Sequence, residues 1–274
     1  MCATAAKDPV PDTDSPAQLR LLSCNILAGG SVQRYREYVT QSWKHVLPAR
    51  SKRGNLDTFA ALLADFDLVG LQEADAGSLR SGFLNQTQYL AEAAGFPYWT
   101  HQPNRKVAQF AASSNGLLTR LEPAEVRDYP LPGRVPGRGA LWVRFGAGEH
   151  ALIVVIAHLS LGPGARRRQF EFIAELIGRH PYVVLMGDLN CASAELKPLL
   201  RETRLVPASQ PLPPTYPSWR PQRAIDHILV TDELKIEQLW TLPHPVSDHL
   251  PLAATVRIPH ALQGLGLPRR RVTT

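Results

Sequence analysis

The sequence predicts an α/β fold in which two β-sheets pack face to face and helices cover their outer surfaces. Two features of the sequence lead to this prediction. Strand-like and helical patterns alternate in the first half of the chain and again around residues 150–190. The last part of the chain is mostly strand-like in pattern. Two stacked sheets with helices outside account for both features, because each element can bury its apolar face against a neighbouring layer.

Five strands are predicted where β-branched and other apolar residues cluster. Several of these segments are apolar on both faces, which is what strands covered on both sides need. The predicted strands are Arg20–Ile26, Leu68–Gln72, Leu152–His158, Tyr182–Met186 and Ile225–Val230.

Three helices are predicted where apolar residues recur at helical spacing. Gly95 and Pro97 are expected to end the second helix, and Pro181 lies just beyond the third. The three apolar stripes consist of Leu56, Phe59, Ala60, Leu62 and Leu63, of Phe83, Leu84, Tyr89, Leu90 and Ala93, and of Phe170, Ile173, Ala174, Leu176 and Ile177.

Polar residues stand at the ends of the predicted strands. The most informative string is Gly187-Asp188-Leu189-Asn190, which comes directly after the apolar run Tyr182–Met186. An Asp and an Asn two positions apart bring a carboxylate and an amide to the same edge, and this pairing suits holding a phosphate while aligning a water against it. Comparable groups occur in Cys24-Asn25, Leu71-Gln72-Glu73, Ala157-His158-Leu159, Ile225-Asp226-His227-Ile228 and Ser247-Asp248-His249. This ordered set indicates an enzyme.

The order of these motifs resembles the endonuclease/exonuclease/phosphatase superfamily from about Leu19 to Ile258. Each motif alone is common, but the ordered combination is specific. The resemblance implies a four-layer α/β/β/α sandwich with two packed mixed sheets. It also implies a metal-dependent phosphoesterase, with Mg²⁺ (or Mn²⁺) as cofactor, which hydrolyses phosphodiester bonds by in-line attack of an activated water.

The resemblance places the metal ion at Glu73, with Asn25 and Asp248 completing the site. These donors fit magnesium, which prefers oxygen ligands, keeps several waters and needs only one or two carboxylates besides a substrate phosphate. Glu73 also follows four apolar strand residues, which argues against an ordinary solvated carboxylate. The alternative for Asn25 is a residue that starts a turn before Gly29-Gly30.

His249 is the candidate general base, because an imidazole can accept a proton from water near neutral pH. Asp226 matches the family's residue that orients this histidine. The resemblance gives Asp188 the role of orienting or polarising the attacking water, and Asn190 that of donating to a phosphate oxygen. His158 would assist the developing charge or the leaving group, and its alternative is a satisfied histidine at a strand end.

Three further features have less specific interpretations. His227 is predicted to be a packed or hydrogen-bonded strand residue that is not catalytic. Asn115 either faces the site or belongs to an ordinary Asn-Gly turn. The runs Arg166-Arg167-Arg168 and Arg269-Arg270-Arg271 are interpreted as solvated.

The chain of 274 residues is long enough for one large domain, and no linker divides it. We expect a disordered leader at residues 1–18, an endonuclease/exonuclease/phosphatase domain at 19–258 and a basic tail at 259–274. The formal net charge is +6, and the rest of the chain carries +8 because the leader has one lysine and three aspartates. Such a charge favours polyanions and anionic surfaces.

The cellular compartment is predicted from cysteine usage and hydropathy. Three cysteines are too few for a disulfide framework and indicate a reducing compartment. No secretory signal follows Met1, and the longest apolar run, Ala151–Ala157, is far shorter than the roughly 20 residues that span a bilayer. We therefore expect a cytoplasmic monomer without a transmembrane segment.

The substrate is less closely specified. Segment 31–53 is rich in aromatic and basic residues, and it either contacts a phosphate-bearing substrate at the mouth of the site or forms an amphipathic helix on the sheet edge. DNA or RNA is favoured because a basic protein gains affinity for a polyphosphate by counterion release. The alternative is a phospholipid, sphingomyelin-like or inositol phosphate substrate with an anionic headgroup. The rival from another class is a catalytically silent binding protein, and the complete set of motif residues argues against it.

Overall fold

The structure is a computed structural model that describes residues 17–26, 50–77, 83–107, 111–133, 137–244 and 246–266. Residues 1–16 of the predicted leader lie outside the described residues, as do residues 31–49 of the aromatic and basic segment and residues 267–274 of the predicted tail.

Strands dominate the described part of the chain. The strands are β1 Gln18–Asn25, β2 Leu68–Asp75, β3 Tyr98–Val107, β4 Ala111–Thr119, β5 Glu125–Pro130, β6 Gly139–Phe145, β7 Leu152–His158, β8 Val183–Asp188, β9 Leu205–Val206, β10 Asp226–Thr231, β11 Lys235–Thr241 and β12 Leu252–Arg257. The α-helices are α1 Arg50–Leu63, α2 Gln86–Ala94, α3 Pro163–Ile177 and α4 Lys197–Glu202. Short 3₁₀ turns cover Gly148–His150, Ser193–Leu196 and His260–Leu265.

The strands form two six-stranded mixed sheets, which we call sheet one, with the order β11-β12-β1-β2-β4-β3, and sheet two, with the order β5-β6-β7-β8-β10-β9. Each sheet has a single parallel pair among its described strands, β1 with β2 and β7 with β8. Parallel neighbours need a crossover connection, and here these connections contain α1 and α3. The remaining pairs are antiparallel.

Three apolar clusters define four layers. The first lies between the two sheets and includes Leu21, Leu68, Ile156 and Met186. The second joins the outer face of sheet one to α1 and α2, and the third joins the outer face of sheet two to α3 and α4. Strand residues alternate between these clusters because successive side chains point to opposite faces of a sheet. The predicted four-layer α/β/β/α sandwich is confirmed.

The topology brings the predicted polar motifs to one edge of each sheet. The parallel strands β1 and β2 end together with Asn25 opposite Gln72, and β7 and β8 end together with His158 opposite Asp188. Strand β10 runs antiparallel to β8, so its first residue, Asp226, pairs with Asp188. Strand β12 runs antiparallel to β1, so the segment before it lies at the end of β1.

The second predicted helix exists, but its predicted apolar stripe is wrong in part. Helix α2 begins after Asn85, whose side chain accepts a hydrogen bond from the Gln88 N–H, so Phe83 precedes the helix and is 65% exposed. Ala93 is also exposed. The buried face consists of Gln86, Thr87, Leu90, Ala91 and Ala94. Two of these residues are polar, and an apolar pattern therefore misses them. Gly95 ends the helix in a left-handed conformation, as expected.

The arginine run at the start of α3 is not solvated throughout. Arg167 and Arg168 are exposed, whereas the side chain of Arg166 is buried. Its Nη1 donates to the backbone carbonyls of Ser160 and Leu161, and its Nη2 donates to Glu195 Oε2. The solvated interpretation is wrong for Arg166, because these acceptors allow a guanidinium to be buried.

No helix among the described residues is long and apolar enough to cross a membrane.

Gly187→Ala should destabilise the fold strongly. Gly187 has φ +149°, and a Cβ at this position would lie 1.9 Å from the carbonyl oxygen of Ala157 on the neighbouring strand. We expect the free energy of unfolding to fall by about 3 kcal/mol or more in urea denaturation. Gly164→Ala is the control, because a Cβ there meets nothing within 4 Å. Equal stability of the two variants would contradict this account of the β7–β8 approach.

Candidate active site

Asp188, the last residue of β8, lies at the centre of a buried polar cluster that spans both sheets. Its Oδ2 accepts a hydrogen bond from Asn25 Nδ2 of sheet one at 3.3 Å. The same oxygen lies 3.3 Å from His158 Nε2 and 3.9 Å from His249 Nε2. One carboxylate oxygen therefore meets three side chains predicted for the site.

Asp226 and His249 form a second contact between the sheets. Asp226 begins β10 in sheet two, and its Oδ2 lies 2.8 Å from His249 Nδ1, in the segment that precedes β12 of sheet one. Thr215 Oγ1 donates to the same carboxylate oxygen. The hydrogen bond to Asp226 leaves Nε2 as the imidazole nitrogen that faces Asp188.

The backbone around His249 is held by Ser247. The Ser247 hydroxyl accepts from the His249 N–H at 3.0 Å and donates to the carbonyl oxygen of Asn25. Ser247 is fully buried. The Tyr216 ring lies beside the imidazole, with 5.0 Å between the centroids. These contacts fix His249 next to the end of β1.

A β-bulge directs Glu73 toward the cluster. The pairing of β2 with β4 shifts register between Leu71 and Ala74, and Glu73 adopts φ 56°, which is uncommon for a residue other than glycine. Its Oε1 lies 3.9 Å from His158 Nε2. Bulges and left-handed residues of this kind often re-aim a side chain at a functional site.

Asn190 also adopts a left-handed conformation, with φ 53°. Its backbone N–H donates to Asp188 Oδ1 at 3.0 Å, and its side-chain Nδ2 donates to the Leu159 carbonyl at 2.9 Å. The first bond closes an Asx turn that turns the chain after β8. An amide nitrogen carries two hydrogens, so Asn190 retains a second donor while it holds the loop after His158.

Charge coupling sets the protonation of the cluster. Burial opposes ionisation of Asp188, but the hydrogen bond and charge of His158, the charge of His249 and the Asn190 N–H outweigh it and hold the pKa of Asp188 well below its ordinary value. Burial lowers the pKa of His249, but the charge and hydrogen bond of Asp226, with the charges of Asp188 and Asp248, raise it to about 10.

Asp248 experiences the opposite balance. Burial and the charges of Glu73 and Asp188 raise the pKa of Asp248, against the opposing charge of His249. Carboxylates that lie close together away from water form an unfavourable concentration of negative charge. A cation would relieve that repulsion.

Among the described residues, one group of acidic and histidine side chains could surround a metal ion. The ligand atoms of Asp188, Asp226 and His249 lie within 4.8 Å of one another. In that group, Asp226 Oδ2 accepts from His249 and Thr215, whereas Asp226 Oδ1 has no hydrogen-bond partner among the described residues. The set of Asn25, Glu73 and Asp248 remains a prediction, and its oxygen donors are the kind that magnesium prefers.

The sequence and the fold agree with a known family. The sequence profile described as the Endonuclease/Exonuclease/phosphatase family matches residues 22–249, which is more than half of the chain. The chain belongs to the endonuclease/exonuclease/phosphatase family. Members of this family are hydrolases that act on phosphoesters, and they are generally dependent on a divalent metal ion. No curated protein matches the sequence significantly.

Solved structures share the fold of this family. An endonuclease/exonuclease/phosphatase from Beutenbergia cavernae is 20% identical and superposes with a TM-score of 0.70, over 89% of this chain and 72% of that chain. D. rerio TDP2, complexed with a single-strand DNA product, is 14% identical with a TM-score of 0.64, over 88% of this chain and 99% of that chain. The Bacteroides thetaiotaomicron mannosyl-6-phosphatase Bt3783 is 17% identical with a TM-score of 0.59, over 87% of this chain and 99% of that chain. At these identities the likeness is one of fold.

Asn115, which the sequence left open, and His227, which was predicted to be packed or hydrogen-bonded, both lie in buried positions. Asn115 lies inside β4, not in a turn, and its Nδ2 donates to Gln102 Oε1 at 3.1 Å and to the Gly139 carbonyl of sheet two at 2.9 Å. His227 is buried, and its Nε2 lies 2.8 Å from the Cys191 carbonyl. Burial lowers the pKa of His227. Asn115 therefore bridges the sheets, and His227 is hydrogen-bonded within the core.

Sequence reasoning missed Thr215 and Ser218. Thr215 donates to Asp226, and the N–H and hydroxyl of Ser218 donate to the carbonyls of Asp248 and Ser247, both at 2.8 Å. Both residues lie in an irregular, proline-rich stretch between β9 and β10. No periodic pattern marks a loop hydroxyl as a partner of a buried carboxylate, so composition and spacing could not have identified them.

In protein freed of metal by a chelator, His249 should stabilise the fold in a pH-dependent way. Its folded pKa is about 10 and its ordinary value is 6.5. The stabilisation is therefore complete below about pH 6.5, decreases as the pH rises and is lost above about pH 10. Urea denaturation of wild type and His249→Asn at several pH values should give a difference in unfolding free energy that follows this course.

The control for this measurement is His150→Asn, because His150 is exposed. This variant should show no such trend. A wild-type advantage over His249→Asn that stays constant or grows from neutral to alkaline pH would contradict the electrostatic account.

Proposed function

We propose that this protein is a divalent-metal-dependent phosphodiesterase that hydrolyses its substrate by in-line attack of a water. The observation that carries the proposal is the Asp226–His249 hydrogen bond of 2.8 Å, with His249 Nε2 3.9 Å from Asp188. A buried imidazole with an oriented second nitrogen, next to a second carboxylate, suits deprotonation of water. Membership of a family of phosphoester hydrolases supports the reaction class.

The metal is proposed to lie at Asn25, Glu73 and Asp248. The donor chemistry fits Mg²⁺ or Mn²⁺. Burial and the charges of Glu73 and Asp188 raise the pKa of Asp248, and a cation would stabilise its charged form. A bound divalent ion would supply charge stabilisation for the phosphate oxygens in the transition state. The ion would also be needed for His249 to act as a base. Without a cation, the nearby carboxylates keep His249 protonated at neutral pH, and a protonated imidazole cannot accept a proton from water.

The remaining residues are proposed to position the water and the phosphate. Asp188 Oδ2 and His249 Nε2 lie 3.9 Å apart. A water that contacts both atoms can donate one hydrogen to each. His249 would take its proton as the new bond to phosphorus forms. Asn190 has a second amide hydrogen for a phosphate oxygen, and His158, 3.3 Å from Asp188, can stabilise charge on the phosphate or leaving group.

We propose that the organic part of the substrate lies in a pocket whose lining residues neighbour the cluster in sequence. An open pocket of about 400 Å³ is lined by residues that include Ser193, Glu195, Leu212, Arg223 and Ile225. The lining includes Ile225, directly before Asp226, and Ala192, two positions after Asn190. Such a pocket could hold an organic group of the phosphoester.

Nucleic acid is the proposed substrate class. The net charge of +6 favours a polyphosphate backbone, and D. rerio TDP2, which shares the fold, has been solved with a single-strand DNA product. Arg223 contributes a guanidinium to the pocket, 5.8 Å from the centroid of the Tyr216 ring. Arginine in this position suits contact with a phosphate or stacking on a base.

A substrate panel with and without Mg²⁺ tests the proposal. We expect the highest kcat/KM on DNA or RNA, and binding of DNA to the inactive Asp188→Asn variant that weakens steeply with salt. Adding Arg223→Glu should reduce the salt dependence by about one unit of log–log slope, whereas the control Arg179→Glu, an exposed residue after α3, should not. Hydrolysis confined to lipid, inositol or sugar phosphoesters, without salt-sensitive binding of nucleic acid, would overturn the substrate class.

Glu73→Gln should weaken metal binding while preserving the fold. The substitution keeps the shape of the side chain and removes the charge that is proposed to hold the ion. We expect Mn²⁺ affinity in isothermal titration calorimetry to fall at least about 10-fold and kcat/KM to fall about 100-fold. The control Glu171→Gln, on the exposed face of α3, should change neither. Full turnover of wild type in excess chelator would refute the metal assignment.

A further inference from the structure

Thr215 makes a contact that the proposed reaction does not yet explain. It lies between β9 and β10, is fully buried, and donates from Oγ1 to Asp226 Oδ2. The same oxygen accepts from His249 Nδ1 at 2.8 Å. The other oxygen, Oδ1, is buried and has no hydrogen-bond partner among the described residues. Two donors therefore converge on one carboxylate oxygen.

This arrangement determines how the Asp226 carboxylate is oriented. The terminal torsion of an aspartate is broad, so rotamer preference alone does not fix the plane of the carboxylate. With only His249 as a partner, the carboxylate plane could rotate about this torsion. The Thr215 hydroxyl restricts that rotation, because it holds the same oxygen that His249 Nδ1 reaches.

The loop that carries Thr215 also holds the backbone on both sides of His249. The Thr215 carbonyl accepts from the Leu250 N–H at 2.9 Å. Three residues later, Ser218 donates from its N–H to the Asp248 carbonyl and from its hydroxyl to the Ser247 carbonyl, both at 2.8 Å. The two partners of the Asp226–His249 pair come from different sheets, and this loop contacts both.

We propose that Thr215 is a positioning residue for the reaction. Its hydroxyl fixes the Asp226 carboxylate so that His249 presents Nε2 toward Asp188 and the attacking water. Thr215 acts through Asp226 and does not itself contact substrate. This inference rests on the proposed function and adds a residue to it that no motif identifies.

Removing the hydroxyl should affect turnover much more than substrate binding. Thr215→Val keeps the shape of the side chain and deletes the donor. We expect kcat to fall about 10- to 100-fold with KM within about 2-fold of wild type, because a small misplacement of a base lowers the rate without weakening the substrate complex. Thr215→Ser restores a hydroxyl and should recover most of the rate.

The matched control is Thr119→Val. Thr119 is also fully buried, and its hydroxyl bonds the carbonyl and N–H of Leu121 in a turn. This substitution should lower the melting temperature by a similar amount and leave kcat unchanged. A comparable loss of kcat in Thr119→Val, or no recovery in Thr215→Ser, would overturn the positioning role and leave a structural one.

A double substitution tests whether Thr215 acts through Asp226. If it does, Thr215→Val should cause little further loss of rate in an Asp226→Ala background, because groups that act as a unit are not additive. A full multiplicative loss in that background would contradict the proposal. If Thr215→Val does not fold, Thr215→Ala is compared with Thr215→Ser in the same assays.

The imidazole resonances of His249 provide a readout that needs no turnover. In wild type, the Nδ1 proton should give a downfield NMR signal typical of a hydrogen bond to a carboxylate, and Thr215→Val should shift or broaden it while Thr119→Val should not. An unchanged signal would overturn the inference even if the wild type hydrolyses phosphodiesters. A wild type inactive on every phosphoester would overturn the proposed function instead, and the NMR comparison would still test the positioning of His249.

Discussion

The contact on which the site depends is the meeting of buried carboxylates with partners from the opposite sheet. Asp188 and Asp226 belong to sheet two, and they bond Asn25 and His249 of sheet one. A buried carboxylate without a partner is strongly unfavourable, so these bonds require the two edges to stay close. The apolar layer between the sheets fixes the distance between them. At that distance the polar side chains at the strand ends of the two sheets can contact one another.

Topology explains why the polar groups converge. Each sheet contains a parallel pair, and the carboxyl ends of both pairs lie at the cluster, where Asn25, Glu73, His158 and Asp188 are found. Antiparallel neighbours then bring the amino end of β10 and the segment before β12 to the same place. Backbone conformation completes the arrangement. Glu73 adopts a left-handed conformation that is uncommon for glutamate, and Asn190 adopts one that asparagine tolerates. Residues far apart in sequence thus form one cluster.

Sequence could predict the elements that carry strong local signals. The buried strand Leu152–His158 was predicted with the bounds that the structure has, because a continuous apolar run marks it. Edge strands such as β5 and β11 were missed, since half-exposed strands lack that run. The burial of Arg166 was not predicted because it depends on Glu195, which is distant in sequence, and on carbonyls of the loop before the helix. The role of Thr215 was not predicted either, because it depends on a contact with Asp226 that sequence alone does not reveal.

The central claim is that the metal and the Asp226–His249 pair are separate parts of one hydrolytic centre. Anomalous diffraction from crystals soaked in Mn²⁺ would test this claim most directly. The account predicts an anomalous peak in contact with Asn25, Glu73 and Asp248, with His249 Nδ1 still hydrogen-bonded to Asp226 Oδ2 near 2.8 Å. A peak surrounded by Asp188, Asp226 and His249, with that hydrogen bond broken, would contradict it. In that case His249 would be a ligand and could not serve as the base.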